Sequence, residues 1–193
     1  MSQATNPNDD DWAKLDRSIR YVRDNIGSGI VLEARGNGKE VFVDSYIDAA
    51  FGSHVDGKSH TGSIVTLGGG PVYVRSTKQK IVTKSSTEAE LVGLSDEAGT
   101  AMNVASFVKL QGYVPKTCIY QDNMGTIAMI KTGKSKSLRT KHIKVRYFWL
   151  CEQMEDDHQI EYMPTSKMIA DILTKPMQGA LFKRFVKLLT NRG

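Results

Sequence analysis

The chain has 193 residues, of which 40% are hydrophobic and 24% are charged, and its formal net charge is +5 at pH 7. This length and composition suit one globular domain, or one domain with an appendage, built around a hydrophobic core. They exclude a disordered chain or one built from membrane spans, since no run approaches ~20 apolar residues. The positive charge permits an anionic partner such as nucleic acid, but many soluble domains are equally basic.

The first element predicted in chain order is an amphipathic helix. Residues 1–10 are polar, and apolar residues then recur at spacings of 3 and 4 from Trp12 to Ile26. This spacing predicts a helix, and Gly27 suits its C-terminal cap. A single apolar stripe must be buried away from water, so the helix either packs on this domain or belongs with a neighbouring one.

From residue 29 the apolar period shortens towards two, which is typical of strands. Four segments follow this pattern, with turn-forming residues 68–71 between the last two: GIVLEA, EVFVDSYIDAAF, TGSIVTLGG and PVYVRST. We therefore expect three or four antiparallel strands in the first half of the domain.

Helices alternate with strands in the second half. The pattern predicts a helix over 86–110, a strand over 117–122, a helix ending at Gly133, a helix over 141–155, a strand in QIEYMPT, and helices in SKMIADILTK and GALFKRFVKLL. This order predicts an α/β domain with a mixed sheet, antiparallel at its start and parallel where helices cross over, and with helices on both faces.

Two glutamates in the stretch KSSTEAELVGL have different predicted roles. Ser85 suits the N-cap of the long helix, and Glu88 three residues later completes a capping box. Glu90 lies nearer the apolar stripe of Leu91 and Leu94 than solvent. A glutamate held near a core is costly unless it is paired or binds a metal, so Glu90 needs a partner.

Three aspartates are placed as unusually as Glu90. Asp48 and Asp122 each end an apolar strand, and Asp171 lies within an apolar short helix. Taken singly, Asp48 also suits a turn and Asp122 a helix cap, and Asp44 on the same strand face is an alternative to Asp48. Together, four carboxylates suit a pair of hard divalent ions, although spacing alone does not show that they converge.

Long strings of this sequence resemble one known family. From about Trp12 to the C-terminus, and in the family's order, YIDAAFG, STKQK, SSTEAE, YQDN, TKHI and ADILTKP resemble the ribonuclease H domain of copia-type (pseudoviral) LTR retrotransposon Pol polyproteins. The resemblance implies a ribonuclease-H-like fold: a five-stranded mixed sheet with helices on both faces. It also implies endonucleolytic hydrolysis of the RNA strand of RNA/DNA hybrids with two Mg²⁺ ions, for which Mn²⁺ can substitute.

The resemblance assigns the four acids by motif. Asp48, Glu90, Asp122 and Asp171 match the family's catalytic and metal-binding carboxylates. Many relatives carry a second aspartate where this chain has Ala50, and the wider fold needs only one acid there. The wider fold also places a histidine before the last acid, where this chain reads PTSKMI. If a loop residue assists turnover here, it is one of Thr165, Ser166 and Lys167.

Basic residues predict the surface that holds nucleic acid. Residues 123–151 contain seven lysines and arginines and no acid. This composition suits a phosphate track, although a solvated helix face is the plainer explanation. For His142, in the TKHI motif at a helix start, a structural hydrogen bond is favoured over a role in proton transfer or product release. The predicted nucleic-acid-binding residues are Ser86, Thr87, Asn123, Lys134, Lys136, Arg139, Lys141, His142 and Lys144.

The resemblance also implies a molecular context. Residues 1–28 resemble a flexible tail and connecting helix from the reverse-transcriptase side, and residues 29–193 the ribonuclease H domain itself. The expected partners are an RNA/DNA hybrid and the polymerase domain of the same polyprotein, with no membrane, in a cytoplasmic virus-like particle. The alternatives are a catalytically silent hybrid-binding or connection module of the same fold and a DNA-directed nuclease of the same superfamily.

Overall fold

The computed structural model describes residues 6–33, 37–132, 141–154 and 158–191, without the side chains of Lys141 and His142. The chain divides into two compact units, Met1–Ile30 and Val31–Gly193. Among the described residues, no helix combines the length and the apolar character needed to cross a bilayer.

The first unit contains helix α1, Asp9–Asp24. Its start is a capping box: the Asn8 side chain accepts from the Asp11 amide at 3.0 Å, and the Asp11 carboxylate accepts from the Asn8 amide at 3.1 Å. The predicted helix is confirmed, but it begins within the predicted tail because this box lies earlier in the chain. It ends at the C-cap Asn25, before Gly27, and none of its residues is buried.

The second unit is built on a five-stranded sheet. Its strands are β1 (Glu40–Ala50), β2 (His60–Leu67), β3 (Gly70–Lys78), β4 (Val114–Gln121) and β5 (His158–Tyr162), in the order β3-β2-β1-β4-β5. The β1–β2 and β2–β3 pairs are antiparallel, and the β1–β4 and β4–β5 pairs are parallel. The predicted mixed sheet is therefore confirmed, with β1 at its centre.

The helices of this unit pack on both faces of the sheet. They are α2 (Ser86–Leu110), α3 (Met124–Thr132), α4 (Lys141–Gln153), α5 (Asp171–Thr174) and α6 (Gly179–Thr190). Neighbouring residues of β1 point to opposite faces, as the strand period requires. Ile47 packs with apolar residues of α2, α3 and α4, whereas Tyr46 packs with Phe185 of α6 and Ile169. The predicted layering is thus confirmed.

Two predicted elements were wrong. The described part of GIVLEA, residues 29–33, lies outside the sheet, because its backbone bonds elsewhere: the Val31 amide donates to Thr190 O of α6, and Glu33 O accepts from Gly69. The segment SKMIADILTK is not one helix. The extended backbone of Met168 separates a 3₁₀ turn, Thr165–Lys167, from the four residues of α5.

Candidate active site

Asp48 lies on the central strand of the sheet, near its C-terminal end. Its side chain is buried, with 1% of the residue exposed, and its backbone pairs with Gly62 of β2. On the other side β1 runs parallel to β4, with Tyr46 opposite Tyr120. Two residues further along both strands, the same register brings Asp48 level with Asp122.

Asp122 directly follows β4, at the edge of the sheet where Asp48 lies. The Asp122 amide donates to the side-chain oxygen of Gln121 at 2.8 Å, which fixes the turn out of the strand. The Thr165 hydroxyl donates to Asp122 Oδ2 at 2.9 Å. Carboxyl ends of parallel strands are the places where α/β sheets bind ligands, so both aspartates are well placed for chemistry.

Asp171 reaches the same edge from helix α5, of which it is the first residue. This helix lies directly against β2 at Gly62, where an added Cβ would stand 2.9 Å from Ala170 O and 2.8 Å from Leu173 Cβ. Only a residue without a side chain allows so close an approach. Gly62 is the backbone partner of Asp48, so this contact brings Asp171 to Asp48.

The three aspartates form one cluster. One carboxylate oxygen from each of Asp48, Asp122 and Asp171 lies within 4.8 Å of the others. Asp48 and Asp171 are buried and Asp122 is half-buried. Hard divalent ions such as Mg²⁺ prefer this donor set, because they bind carboxylate oxygens and retain water. The residues present therefore fit a divalent metal ion. Asp44, the alternative considered for Asp48, is not in this cluster.

Glu90 lies beside the cluster, on the first turns of α2. Burial is the largest of the influences that raise its pKa well above the usual value, and the charges of Asp48 and Asp122 raise it further. The side-chain amide of Gln121 donates to Glu90 Oε2 at 3.1 Å. The four predicted acids thus occupy one neighbourhood, although Glu90 is not among the three whose oxygens converge within 4.8 Å.

Glu88 belongs to the helix cap, largely as predicted. Ser85 is the N-cap, and its hydroxyl accepts from the Glu88 amide at 3.2 Å. The Glu88 carboxylate accepts from the Lys84 amide at 2.8 Å rather than from Ser85. The Glu88 side chain therefore accepts from the residue before the N-cap, whereas the predicted capping box has it accept from the N-cap residue itself.

Gln121 connects two of the acids, and its role was not predicted from the sequence. Its side chain is fully buried; the amide oxygen accepts from the Asp122 and Asn123 amides, while the amide nitrogen donates to Glu90. One side chain thereby fixes both the turn after β4 and the Glu90 carboxylate. A glutamine beside an aspartate at a strand end is the only trace of this role in the sequence.

Lys175 is the second site residue whose role was not predicted from the sequence. Its Nζ lies 2.8 Å from Asp171 Oδ1 and 3.6 Å from Asp48 Oδ1. Burial by itself lowers the pKa of Lys175, but the hydrogen bond to Asp171 and the charge of Asp48 outweigh burial and raise it. The spacing of four residues from Asp171 is the signal that would have identified the pair, because such residues are neighbours on a helix.

The pKa of Asp171 lies above the usual value for an exposed carboxyl group. Burial is the main cause that raises the pKa of Asp171 to about 6; the hydrogen bond from Lys175 lowers it and the charge of Asp48 raises it. The neighbouring Thr174 hydroxyl donates to Asp48 Oδ2. Helix α5 and the residue after it thus contribute one acid, one cation and one hydroxyl to the site.

The predicted nucleic-acid-binding residues are described only in part. Ser86 is exposed, and Thr87 and Asn123 are half-buried near each other, since a Cβ on Gly125 would lie 3.7 Å from Thr87 Oγ1 and 3.1 Å from Asn123 Oδ1. Lys144 is exposed on α4. The remaining residues of this set lie outside the described residues, or have side chains that do: Lys134, Lys136, Arg139, Lys141 and His142.

Sequence comparison finds relatives among transposon polyproteins, while no family model matches the chain. A Pol polyprotein from transposon TNT 1-94 of Nicotiana tabacum is 30% identical over 173 residues, which cover 88% of this chain. A Pol polyprotein from transposon RE2 of Arabidopsis thaliana is 31% identical over 93% of the chain. The chain spans only 13% and 12% of the length of these two relatives.

Comparison with solved structures identifies the fold. The structure of LC11-RNase H1, isolated from compost by a metagenomic approach, matches with a TM-score of 0.51 and 13% identity. The match covers 70% of this chain and 93% of the other. At this identity the likeness is one of fold, and it agrees with the five-stranded mixed sheet described above.

Proposed function

Because the chain is homologous to one segment of the Pol polyproteins of retrovirus-related transposons and has the ribonuclease H fold, we propose that it is a metal-dependent endonuclease that hydrolyses the RNA strand of RNA/DNA hybrids. One observation carries this proposal. Three distant segments bring the carboxylates of Asp48, Asp122 and Asp171 within 4.8 Å at the carboxyl ends of parallel strands. Fold alone would not support it, since one fold hosts many functions.

Asp48, Asp122 and Asp171, with Glu90 beside them, would hold two Mg²⁺ ions, or Mn²⁺ in their place. Such ions, when bound, lower the pKa of the attacking water and stabilise the leaving oxygen of the phosphodiester. The protein itself supplies orientation: Gln121 fixes Glu90 and the Asp122 turn, and Gly62 allows α5 to bring Asp171 against the sheet.

The hybrid would be held by its backbone shape and 2′-hydroxyl groups, with little preference for base sequence. Ser86 and Thr87 lie at the N-terminus of α2, where backbone amides favour a phosphate. Asn123 lies next to Asp122 and would contact the same strand of the hybrid as Asp122 does. The exposed Lys144 adds positive charge on α4. Lys134, Lys136, Arg139, Lys141 and His142 complete the proposed track.

This activity would serve reverse transcription, by degrading the template RNA once the first DNA strand is made. We accordingly propose the polymerase domain of the same polyprotein as a partner, and cytoplasmic virus-like particles as the location. Homology to transposon Pol polyproteins supports this context. Residues 1–28 would then be the connection from the polymerase side.

A catalytically silent hybrid-binding module is the second candidate, and one observation favours it. Lys175 already neutralises part of the acidic cluster, with its Nζ 2.8 Å from Asp171 Oδ1. In a hybrid-binding module that needs no metal, a lysine would neutralise the buried acids in the same way. The two candidates differ in outcome, because only the enzyme converts bound hybrid to shorter RNA.

Cleavage of a hybrid labelled on either strand tests the proposal. The chain is incubated with Mg²⁺ or Mn²⁺ and the hybrid, with RNA/RNA and DNA/DNA duplexes as substrate controls and EDTA as the metal control. The proposed function predicts metal-dependent fragments of the RNA strand from the hybrid alone. Hybrid binding without cleavage under either metal would favour the silent module, and cleavage of DNA/DNA would favour a DNA-directed nuclease.

A further inference from the structure

Lys175 reaches two buried carboxylates from the outside of the site. Its side chain is 43% exposed, whereas those of Asp48 and Asp171 are 2% and 6% exposed. The Lys175 amide donates to Asp171 O at 3.0 Å, so the backbone of Lys175 is tied to the end of α5 while its long side chain folds back over the acids. The ammonium therefore covers the cluster without being part of the packed core.

The contacts of Lys175 occupy oxygen atoms that a metal ion would also use. Nζ contacts Oδ1 of both Asp48 and Asp171, and the Thr174 hydroxyl donates to Asp48 Oδ2. Both oxygens of Asp48 are thus engaged by residues 174 and 175. A divalent ion bound by Asp48 and Asp171 needs these same oxygens, because each cation is stabilised by direct contact with carboxylate charge.

The acidic cluster needs a positive charge beside it for electrostatic reasons. The site gathers Asp48, Asp122, Asp171 and Glu90, and buried like charges repel one another unless a positive charge or protons compensate them. A lysine on a flexible stem meets this need and can still withdraw, since its side chain is half-exposed and its charged end is held by its contacts with Asp48 and Asp171.

We propose that Lys175 is a built-in counter-ion that neutralises Asp48 and Asp171 in the metal-free protein and is displaced when a divalent ion binds, so that it sets the metal affinity of the site. This inference rests on the metal site of the proposed function. It gives the ion pair a role besides stability: Lys175 keeps the acidic cluster assembled before the metal arrives and weakens metal binding by competition.

The test compares Mn²⁺ binding by the full chain and its Lys175 variants, measured by isothermal titration calorimetry. Lys175→Met removes the competing charge, and we expect it to bind Mn²⁺ about 5-fold more tightly or better. Lys175→Arg retains the charge and is expected to bind Mn²⁺ as the wild type does. Lys183→Met, a change at an exposed lysine of α6, is the matched control and should leave the affinity unchanged.

A second readout separates competition from general damage. In EDTA, Lys175→Met should melt at a lower temperature than the wild type, because two buried carboxylates lose their counter-ion. Added Mn²⁺ should then raise its melting temperature by more than it raises that of the wild type. Lys175→Gln serves the same comparison if the methionine variant does not melt cooperatively.

The outcomes distinguish this inference from the proposed function. Equal Mn²⁺ affinity in the wild type and Lys175→Met would overturn the counter-ion role and leave the metal site standing. If Asp122→Asn binds Mn²⁺ as the wild type does, the metal site is itself misassigned and both proposals fail. Tighter binding in Lys175→Met but not in Lys175→Arg would establish the displacement.

Discussion

Glu90 is a buried acid placed close to two other carboxylates, which is electrostatically costly. It is 5% exposed, burial is the main cause that raises its pKa, and the charges of Asp48 and Asp122 raise it further. Its hydrogen bond from Gln121 offsets only part of this cost. Functional sites commonly retain such groups at the expense of stability, because their chemistry needs the charge in that place.

Replacing Glu90 by glutamine should therefore stabilise the metal-free protein while abolishing hybrid cleavage. We expect Glu90→Gln to raise the free energy of unfolding by ~1–3 kcal/mol at pH 7.5, because an amide of the same shape carries no charge to desolvate. Urea denaturation in EDTA measures this. Glu88→Gln, two residues away in the cap, is the control and should change stability by under ~0.5 kcal/mol. A Glu90→Gln variant less stable than the wild type would contradict this account.

Asp171 gives the metal-free protein a defined pH dependence. Its pKa is raised from 3.8 to about 6, mainly by burial. The folded state therefore binds more protons at this carboxyl than the unfolded state does, and its contribution to stability falls as pH rises through this interval. Asp171→Asn removes the contribution, so the stability of the variant relative to the wild type should increase from pH 4 to pH 6 and then level off. Denaturation series in EDTA at several pH values measure the difference; a constant or falling difference would show that the pKa of Asp171 is not raised.

Helix α5 has only four residues, and its role is to position Asp171 at the site. Its four residues cannot be stable alone, since an isolated helix that short is far below the length that persists in water. Contact with β2 at Gly62 holds it, supported by the Ser76 hydroxyl, which donates to Leu173 O at 2.8 Å. The position of Asp171 against Asp48 thus depends on a glycine more than one hundred residues away in the chain.

A methyl group at Gly62 should displace α5. The new Cβ would meet Leu173 Cβ at 2.8 Å and Thr174 Cγ2 at 2.9 Å. We expect Gly62→Ala to lower the free energy of unfolding by ~1–3 kcal/mol and to reduce hybrid cleavage by about ten-fold or more, because Asp171 moves with its helix.

The matched control for this change is Gly99→Ala. Gly99 lies within α2, and a Cβ added at this position would meet no atom within 4 Å. Alanine there should stabilise the helix by ~0.5–1 kcal/mol and leave cleavage unchanged. If Gly62→Ala matches Gly99→Ala in stability and activity, α5 is not held as we describe.

At the scale of the whole molecule, the two units differ in how their helices are stabilised. Helix α1 contains no buried residue, whereas α2 buries residues along most of its length. The apolar stripe of α1, including Trp12 and Val22, is largely exposed. The predicted boundary after residue 28 implies that residues 29–193 fold without residues 1–28.

Removing residues 1–28 should therefore leave the ribonuclease H fold intact. We expect residues 29–193 to unfold cooperatively, with a free energy of unfolding within ~1 kcal/mol of the full chain, because none of residues 6–28, the described part of the removed segment, is buried. Thermal and urea denaturation of both proteins measure this. Aggregation or loss of cooperative unfolding in the shorter chain would place the boundary elsewhere.

The sequence predicted those features that depend on local patterns. Alternating apolar residues indicated β1 to β3, and strand-end positions singled out Asp48 and Asp122. It did not predict that residues 29–33 bond to α6 and a turn, because their strand-like composition says nothing about where their amides find partners. Nor did it predict the contact of Lys175 with Asp48 or that of Gly62 with α5, since contacts between distant segments leave no periodic signal in the sequence.

Hybrid cleavage by aspartate variants shows whether the three-aspartate cluster is the active site. If Asp48, Asp122 and Asp171 act as one unit, Asp48→Asn and Asp122→Asn should each reduce cleavage by about 100-fold or more, and the double variant should be no worse than either alone. Asp44→Asn changes an acid on the same face of β1 outside the cluster, and it should retain activity. Cleavage that survives Asp122→Asn, or that is lost in Asp44→Asn, would contradict the assignment of the site.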